Sequence, residues 1–234
     1  MSSEGPATRE NEWWVPSFGP RRLRLFLGLS FYPYSLMNAS YVLVGSLIAA
    51  GVDYDRMLGM AVVYLLAVGI SAHSLDAMAP NKPWGDFLSR RQLALLAAGA
   101  MVPALVLGLY YSLEFAPLLI PLGLAELFFL LAYNLELFDG AFHTDIWFAT
   151  SWGFLPVLAG YIVQTDALSL ASLAGGAFGF FTAYVEISAS RPYKALKRER
   201  SASPVAARLE SVLKGVVATV LAATALLLAM SLGR

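Results

Sequence analysis

Short polar segments separate long apolar intervals along this chain. Six intervals contain no charged residue, and a seventh, between Glu114 and Glu136, contains only Glu126. A hydrocarbon core of about 30 Å requires roughly 20 apolar residues in a helix that rises about 1.5 Å per residue. The six uncharged intervals lie between Arg24 and Asp53, Arg56 and Asp76, Arg91 and Glu114, Asp145 and Asp166, Asp166 and Glu186, and Lys214 and Arg234.

This pattern predicts an all-α polytopic membrane protein with about seven transmembrane helices. Strands are excluded because lipid does not satisfy open backbone groups and the intervals do not alternate polar with apolar residues. Residues 1–23 form a polar N-terminal interfacial arm, whose Trp13 and Trp14 suit the headgroup layer, and residues 24–234 form one transmembrane domain. The predicted helices lie near residues 25–50, 57–75, 92–112, 115–134, 145–164, 167–188 and 213–232.

The composition excludes several classes of protein. Hydrophobic residues make up 58% of the 234 residues and charged residues 14%, which excludes a disordered chain, a nucleic-acid-binding domain and most water-soluble enzymes. Sixteen basic residues balance sixteen acidic residues, so the net charge indicates no polyanionic partner. The absence of cysteine excludes disulfides and thiolate metal sites.

The basic residues predict an orientation. With seven helices, the N-terminus and the second, fourth and sixth loops share one side, and only Arg56 and Arg234 fall on the other. Because basic residues near helix ends stay in the cytoplasm, we expect an inner membrane of a bacterium or archaeon, with the N-terminus cytoplasmic.

Acidic and imidazole groups gather at the predicted cytoplasmic ends of the helices. Charged groups near hydrocarbon require partners, and converging carboxylates repel one another unless a cation or shared protons hold them. We therefore expect a divalent cation there. The alternatives are a hydrogen-bonded helix end at His73 and Asp76, and a helix cap at Thr144 or Asp145. The candidate catalytic residues are His73, Asp76, Glu136, His143, Asp145 and Glu186, and the candidate metal ligands are the same residues without Glu136.

Two basic segments flank these groups. Arginine binds phosphate oxygens through two hydrogen bonds, so a metal between basic loops suits a diphosphate. The alternative is an anchor on anionic lipid. The candidate diphosphate-binding residues are Lys82, Arg90 and Arg91 in one segment, and Arg191, Lys194 and Arg198 in the other.

Glu126 lies near mid-bilayer, seven residues before Tyr133 and on the same helix face. It is either an acid hydrogen-bonded between helices or a proton donor or acceptor that lines a lipid cavity. Asn38 is likewise a contact between helices or a cavity residue, and the glycines near Gly175 serve packing.

The order of these features resembles the UbiA superfamily of intramembrane prenyltransferases. Ala72-His73-Ser74-Leu75-Asp76 lies where that family has its first aspartate-rich motif, and Lys82-Pro83-Trp84-Gly85 is similar to the segment that follows. Tyr133-Asn134, with Gly153, Pro156 and Gly160, resembles the pattern of the middle helices, and the segment from Tyr184 to Arg198 lies where the second motif belongs.

The resemblance implies a UbiA-like helical bundle and a Mg²⁺-dependent enzyme. Such an enzyme moves a prenyl group from a prenyl diphosphate to an aromatic or lipid acceptor at a cytoplasmic-side polar cavity. Tyrosine rings such as those of Tyr133 and Tyr184 would stabilise the allylic cation. The expected cavity residues are Asn38, Glu126, Tyr133, Asn134 and Tyr184.

Two alternatives remain open. The imidazoles of His73 and His143 favour Zn²⁺ or Fe over Mg²⁺, which suits a metal-dependent membrane hydrolase or oxidoreductase. A non-catalytic lipid-binding subunit of a membrane complex is the third hypothesis. In all three hypotheses, the prenyltransferase included, membrane lipid is a partner and nucleic acid is not.

Overall fold

The computed structural model describes residues 10, 12–78, 87–198 and 203–233. These residues contain helices and no strands, which confirms the all-α prediction. We number the helices in chain order as α1 Arg21–Leu29, α2 Tyr32–Leu47, α3 Tyr54–Ala77, α4 Arg90–Glu114, α5 Leu119–Asn134, α6 Asp145–Thr165, α7 Leu170–Arg198 and α8 Pro204–Leu232.

Five of the described helices, α3, α4, α6, α7 and α8, are long and apolar enough to cross a membrane. This is consistent with a multi-pass integral membrane protein, but the predicted count of about seven spans is not confirmed. Helix α5 is apolar but has only 16 residues. The predicted first span is divided at Phe31, whose left-handed backbone (φ 46°) interrupts the helix and leaves α1 and α2 with 9 and 16 residues.

Two spans contain a wider π-helical segment, a feature that is frequent at functional sites. In α3 the segment covers Leu65–Ala72 and ends directly before His73. In α6 it covers Thr150–Phe154 and contains Trp152. The amide side chain of Asn38 on α2 donates a hydrogen bond of 2.7 Å to the carbonyl of Trp152. Each segment changes the direction of the side chains that follow it.

Glycines allow α6 to approach two neighbours closely. A Cβ atom at Gly160 would collide with the backbone carbonyl of Val42 on α2, and one at Gly45 would collide with the carbonyl of Val157. Gly153 meets Gly179 of α7 in the same way. Small residues at helix crossings are typical of membrane bundles, so α2, α6 and α7 form the tightly packed wall of the molecule.

The described part of the N-terminal arm packs into the bundle. Trp14 is fully buried, stacks on Phe31 with ring centroids 5.0 Å apart, and contacts the ring of Tyr34. The backbone N–H of Trp13 donates to the Tyr193 hydroxyl at 3.3 Å, and its indole donates to the Tyr34 hydroxyl at 3.1 Å. The indole of Trp14 therefore contacts protein rather than lipid headgroups. Near the start of the arm, hydrogen bonding to Arg21 lowers the pKa of Glu10.

Candidate functional site

A cavity of about 630 Å³ opens among α3, α4, α5, α6 and α7. One part, which we call the apolar limb, lies mainly between α3, α4 and α5. The other part, the polar end, lies where α3, α5 and α7 end and α6 begins. The apolar limb is lined by residues that include Met60, Val63, Ala67, Ala104, Leu105, Gly108, Leu122, Leu124 and Leu127, and the polar end by His73, Asp76, Tyr133, Asn134, His143, Glu186, Arg191, Lys194 and Arg198.

One face of α7 brings three cations to the polar end. Arg191, Lys194 and Arg198 follow one another at intervals of three and four residues, so they project from the same side of the helix. All three line the cavity. The Lys194 ammonium lies 5.1 Å from the ring centroid of Phe31 and 5.9 Å from that of Trp14. The polar end therefore carries three cations against two carboxylates, those of Asp76 and Glu186, and this excess of positive charge suits an anion.

Glu186 lies on the same helix and is only 4% exposed. Among the described residues, no hydrogen-bond partner reaches its buried Oε2 atom. A buried oxygen without a hydrogen bond is costly. Glu186 therefore brings an unsatisfied polar atom to the wall of the polar end.

The imidazole of His73 is oriented by aromatic rings. It stacks on Phe31 with ring centroids 4.7 Å apart and meets the edge of Trp152 at 5.5 Å. Its Nδ1 lies 3.2 Å from the carbonyl oxygen of Gly69. Because a carbonyl oxygen only accepts, Nδ1 donates this hydrogen bond. This contact lies within α3, since Gly69 precedes His73 by four residues, and it fixes the ring at the wall of the cavity.

His143 is held in a comparable way against Tyr133. The two rings stack with centroids 4.3 Å apart, and Nδ1 of His143 donates to the Tyr133 carbonyl at 3.1 Å. Arg191 joins this group, since it donates to the His143 carbonyl at 3.0 Å and to the Tyr133 hydroxyl at 3.5 Å. It also pairs with the Asp145 carboxylate at 3.1 Å. Arg191 therefore connects α5, α6 and α7 at the polar end.

Many predicted site residues do meet at this cavity. Asp76 and Glu186 lie near enough to Tyr133 to interact with it electrostatically, although they come from different helices. The sequence placed these groups at one membrane level, and the structure shows that they also face one space. The predicted residues that line the cavity are His73, Asp76, Glu126, Tyr133, Asn134, His143, Glu186, Arg191, Lys194 and Arg198.

Other predicted residues do not line it. Asn38 is buried between α2 and α6, where its amide satisfies the Trp152 carbonyl, and Tyr184 lies on the outer face of α7, 39% exposed, against Phe180. The Asn38 hydrogen bond fits the alternative of a contact between helices, and neither residue is among those that line this cavity. Glu136 is exposed in the connection between α5 and α6. Arg90 and Arg91 are exposed in the first turn of α4, Asp145 pairs with Arg191 beside the cavity, and Lys82 lies outside the described residues.

The metal prediction has little support from side-chain geometry. Within residues 10, 12–78, 87–198 and 203–233, no three His, Asp or Glu side chains lie close enough together to hold an ion. Thr144 caps α6 by accepting from the Trp147 amide at 3.3 Å, as the helix-cap alternative requires. The described donors do not fit Mg²⁺, Zn²⁺ or Fe as a ligand set, and we assign no chemical step to a metal.

Sequence reasoning missed several aromatic and apolar lining residues. Phe31, Phe148 and Trp152 line the cavity next to the imidazole groups. Nothing in the sequence distinguishes them from other membrane aromatics, because a left-handed residue and a π-helical segment set their directions. The α4 residues of the apolar limb were also missed. Because every face of α4 is apolar, its sequence does not indicate which face meets the cavity.

The fold and site together define a multi-pass helical membrane protein with an amphipathic cavity. In comparisons with protein-family models, with curated proteins and with solved structures, nothing matches this chain.

Proposed function

We propose that this protein is a UbiA-like membrane prenyltransferase that binds a prenyl diphosphate in the amphipathic cavity. The observation that carries the proposal is the position of Arg191, Lys194 and Arg198 on one face of α7, at the polar end of a cavity whose other limb is mainly apolar. The diphosphate suits these cations, and the prenyl chain suits the apolar limb. A membrane of bacterial or archaeal type with the polar end in the cytoplasm is part of this proposal, because the basic residues gather there.

The bond between the allylic carbon and the diphosphate oxygen breaks with its electron pair on the oxygen. Fixed cations in a site poor in water stabilise the departing anion more strongly than water does. The rings of Tyr133, Phe148 and Trp152, which line the cavity, stabilise the allylic cation through their faces. A nucleophilic atom of the aromatic or lipid acceptor then forms the new bond to the allylic carbon.

The acceptor loses a proton in this reaction, and His143 is the group suited to take it. Because Nδ1 of His143 donates to the Tyr133 carbonyl, the lone pair of the neutral ring is on Nε2. Arg191 donates to the backbone carbonyl of His143, so the residue that carries the base also contacts an anion-binding group. This arrangement supports proton transfer at the same end of the cavity as the departing diphosphate.

A non-catalytic lipid-binding subunit is the second candidate. It is favoured by the engagement of Arg191 with Asp145, which partly neutralises this cation. This candidate uses the same cavity and the same cations but has no transfer step. No specific contact favours the metal-dependent hydrolase or oxidoreductase.

The test uses the full chain in lipid nanodiscs with a radiolabelled prenyl diphosphate. We expect saturable binding and transfer of label to an extractable acceptor when native membrane lipids or phenolic acids are supplied. The Arg191→Gln variant should lose at least about ten-fold in affinity, the usual scale for a charged hydrogen bond. The control is Arg208→Gln on α8, an exposed arginine that does not line the cavity.

Each outcome has a clear meaning. Binding with transfer supports the prenyltransferase, and binding without transfer in every acceptor mixture supports the lipid-binding subunit. Absence of binding, or equal affinity in the Arg191→Gln and wild-type proteins, overturns the assignment of the polar end. Addition of EDTA to the same assay tests the Mg²⁺ dependence that the resemblance implies.

A further inference from the structure

A second polar group lies inside the apolar limb. The Tyr64 hydroxyl on α3 donates a hydrogen bond of 2.9 Å to Oε1 of Glu126 on α5. Both side chains line the cavity. The contact therefore joins two helices, as expected of an acid hydrogen-bonded between helices. It also faces the cavity, as expected of a group that lines a lipid cavity.

This pair is well separated from the polar end. Glu126 precedes Tyr133 by seven residues of continuous helix, which corresponds to about 10 Å along α5. Ser112 also lines the limb, but its hydroxyl donates to the Gly108 carbonyl of its own helix at 2.7 Å. The Tyr64–Glu126 pair thus offers hydrogen bonding at a second, deeper level of the same cavity.

The pair has hydrogen-bonding capacity beyond its internal contact. A carboxyl group has two oxygens, and the Tyr64 hydrogen bond uses only Oε1. The tyrosine oxygen, which donates in this bond, retains its ability to accept. Glu126 is half-buried and is one of the residues that line the cavity. A contact that only joins helices needs no such exposure, whereas a subsite for a polar group does.

We propose that Tyr64 and Glu126 form a subsite for a hydroxyl group carried within the hydrocarbon part of the ligand, about 10 Å from its anionic head. A hydroxyl of the ligand donates, and both the second carboxylate oxygen of Glu126 and the oxygen of Tyr64 retain the capacity to accept. This inference rests on the proposed function, because it assumes a lipid whose anionic head lies at Arg191. It adds a substrate class, namely isoprenoid or other lipid chains that are oxygenated along their length.

The test measures binding to the full chain in nanodiscs, with a fluorescent alkyl phosphate as the tracer. The competitors are saturated alkyl phosphates of one chain length that carry a hydroxyl at increasing distances from the phosphate, or none. We expect one intermediate position to bind about five-fold more tightly than the plain chain, as one net hydrogen bond provides. The Tyr64→Phe/Glu126→Leu double variant should bind all competitors alike.

The double variant removes both partners together, which avoids leaving one polar group unsatisfied and preserves folding. The matched control is Thr219→Val on α8, whose hydroxyl donates to the Gly215 carbonyl of its own helix and which does not line the cavity. It should keep the wild-type preference.

An equal affinity for all competitors in the wild type, or a preference that survives in the double variant, overturns the subsite. If no alkyl phosphate binds to the wild type at all, the anionic-head assignment fails and the subsite fails with it. A loss of at least about ten-fold in affinity for every competitor in Arg191→Gln, with loss of the hydroxyl preference alone in the double variant, supports both proposals separately.

Discussion

The imidazole ring of His73 lies parallel to the phenyl ring of Phe31, with 4.7 Å between ring centroids and 20° between ring planes. Phe31 also stacks on Trp14 of the N-terminal arm. Its left-handed backbone ends the short helix α1 and begins α2. The break in the predicted first span therefore places an aromatic ring between the arm and the cavity.

The Phe31→Leu variant tests the role of this ring. Leucine keeps apolar volume and meets the same left-handed backbone, so the change isolates the ring contacts. Two aromatic pairs at roughly 0.5–1.5 kcal/mol each predict a loss of about 1–3 kcal/mol in the free energy of unfolding. Thermal unfolding in detergent should show a lower midpoint than in Phe18→Leu, where the ring is 81% exposed. Equal midpoints would contradict the stacking interpretation.

The arm is predicted to be part of the folded bundle. Replacing Trp14 with alanine leaves a void among Phe31, Tyr34 and Tyr193, and a buried aromatic truncation typically costs about 3–5 kcal/mol. We expect Trp14→Ala to lower the yield of monodisperse protein in size-exclusion chromatography after heating, and Phe18→Ala to leave it unchanged. If Trp14→Ala behaves as wild type, the arm does not stabilise the bundle.

The packing of α2 against α6 depends on glycine at position 160. An alanine Cβ there would collide with the Val42 carbonyl, which cannot move without displacing α2. Overpacking of this kind costs about 1–3 kcal/mol or more. Gly99→Ala is the control, because open space surrounds that position in α4, and alanine there should be neutral or slightly stabilising. Thermal unfolding of both variants measures the difference, and similar midpoints would show that the crossing is less tight than described.

The orientation can be measured because the chain contains no cysteine. Phe18→Cys and Leu137→Cys introduce thiols at exposed positions near the polar end, and Gly51→Cys introduces one at the opposite end, between α2 and α3. With the polar end in the cytoplasm, a membrane-impermeant maleimide should label only Gly51→Cys in intact spheroplasts. It should label all three after permeabilisation. The reverse pattern would place the polar end outside.

The sequence predicted where helices form and which groups share one end of the bundle. Each of the seven apolar intervals contains helix in the described structure, because hydrocarbon length and backbone hydrogen bonding restrict what such segments can do. The contacts within each end of the bundle also follow the prediction that successive connections alternate between the two ends. Trp13 reaches Tyr193, and Arg191 reaches His143, whereas Asp166 accepts from the Leu118 amide at the other end.

Only the tertiary structure decided which of these groups meet. His73, His143 and Glu186 share a cavity with Arg191, while Tyr184 faces outward and Asn38 satisfies a carbonyl in a π-helical segment. The physical reason is that hydropathy fixes the depth of a residue in the membrane but not the rotation of its helix. Rotation is set by close contacts such as that of Gly160 with Val42, by the left-handed Phe31 and by the two π-helical segments. Glycines in the sequence indicate that helices approach closely, but they do not indicate which helices meet.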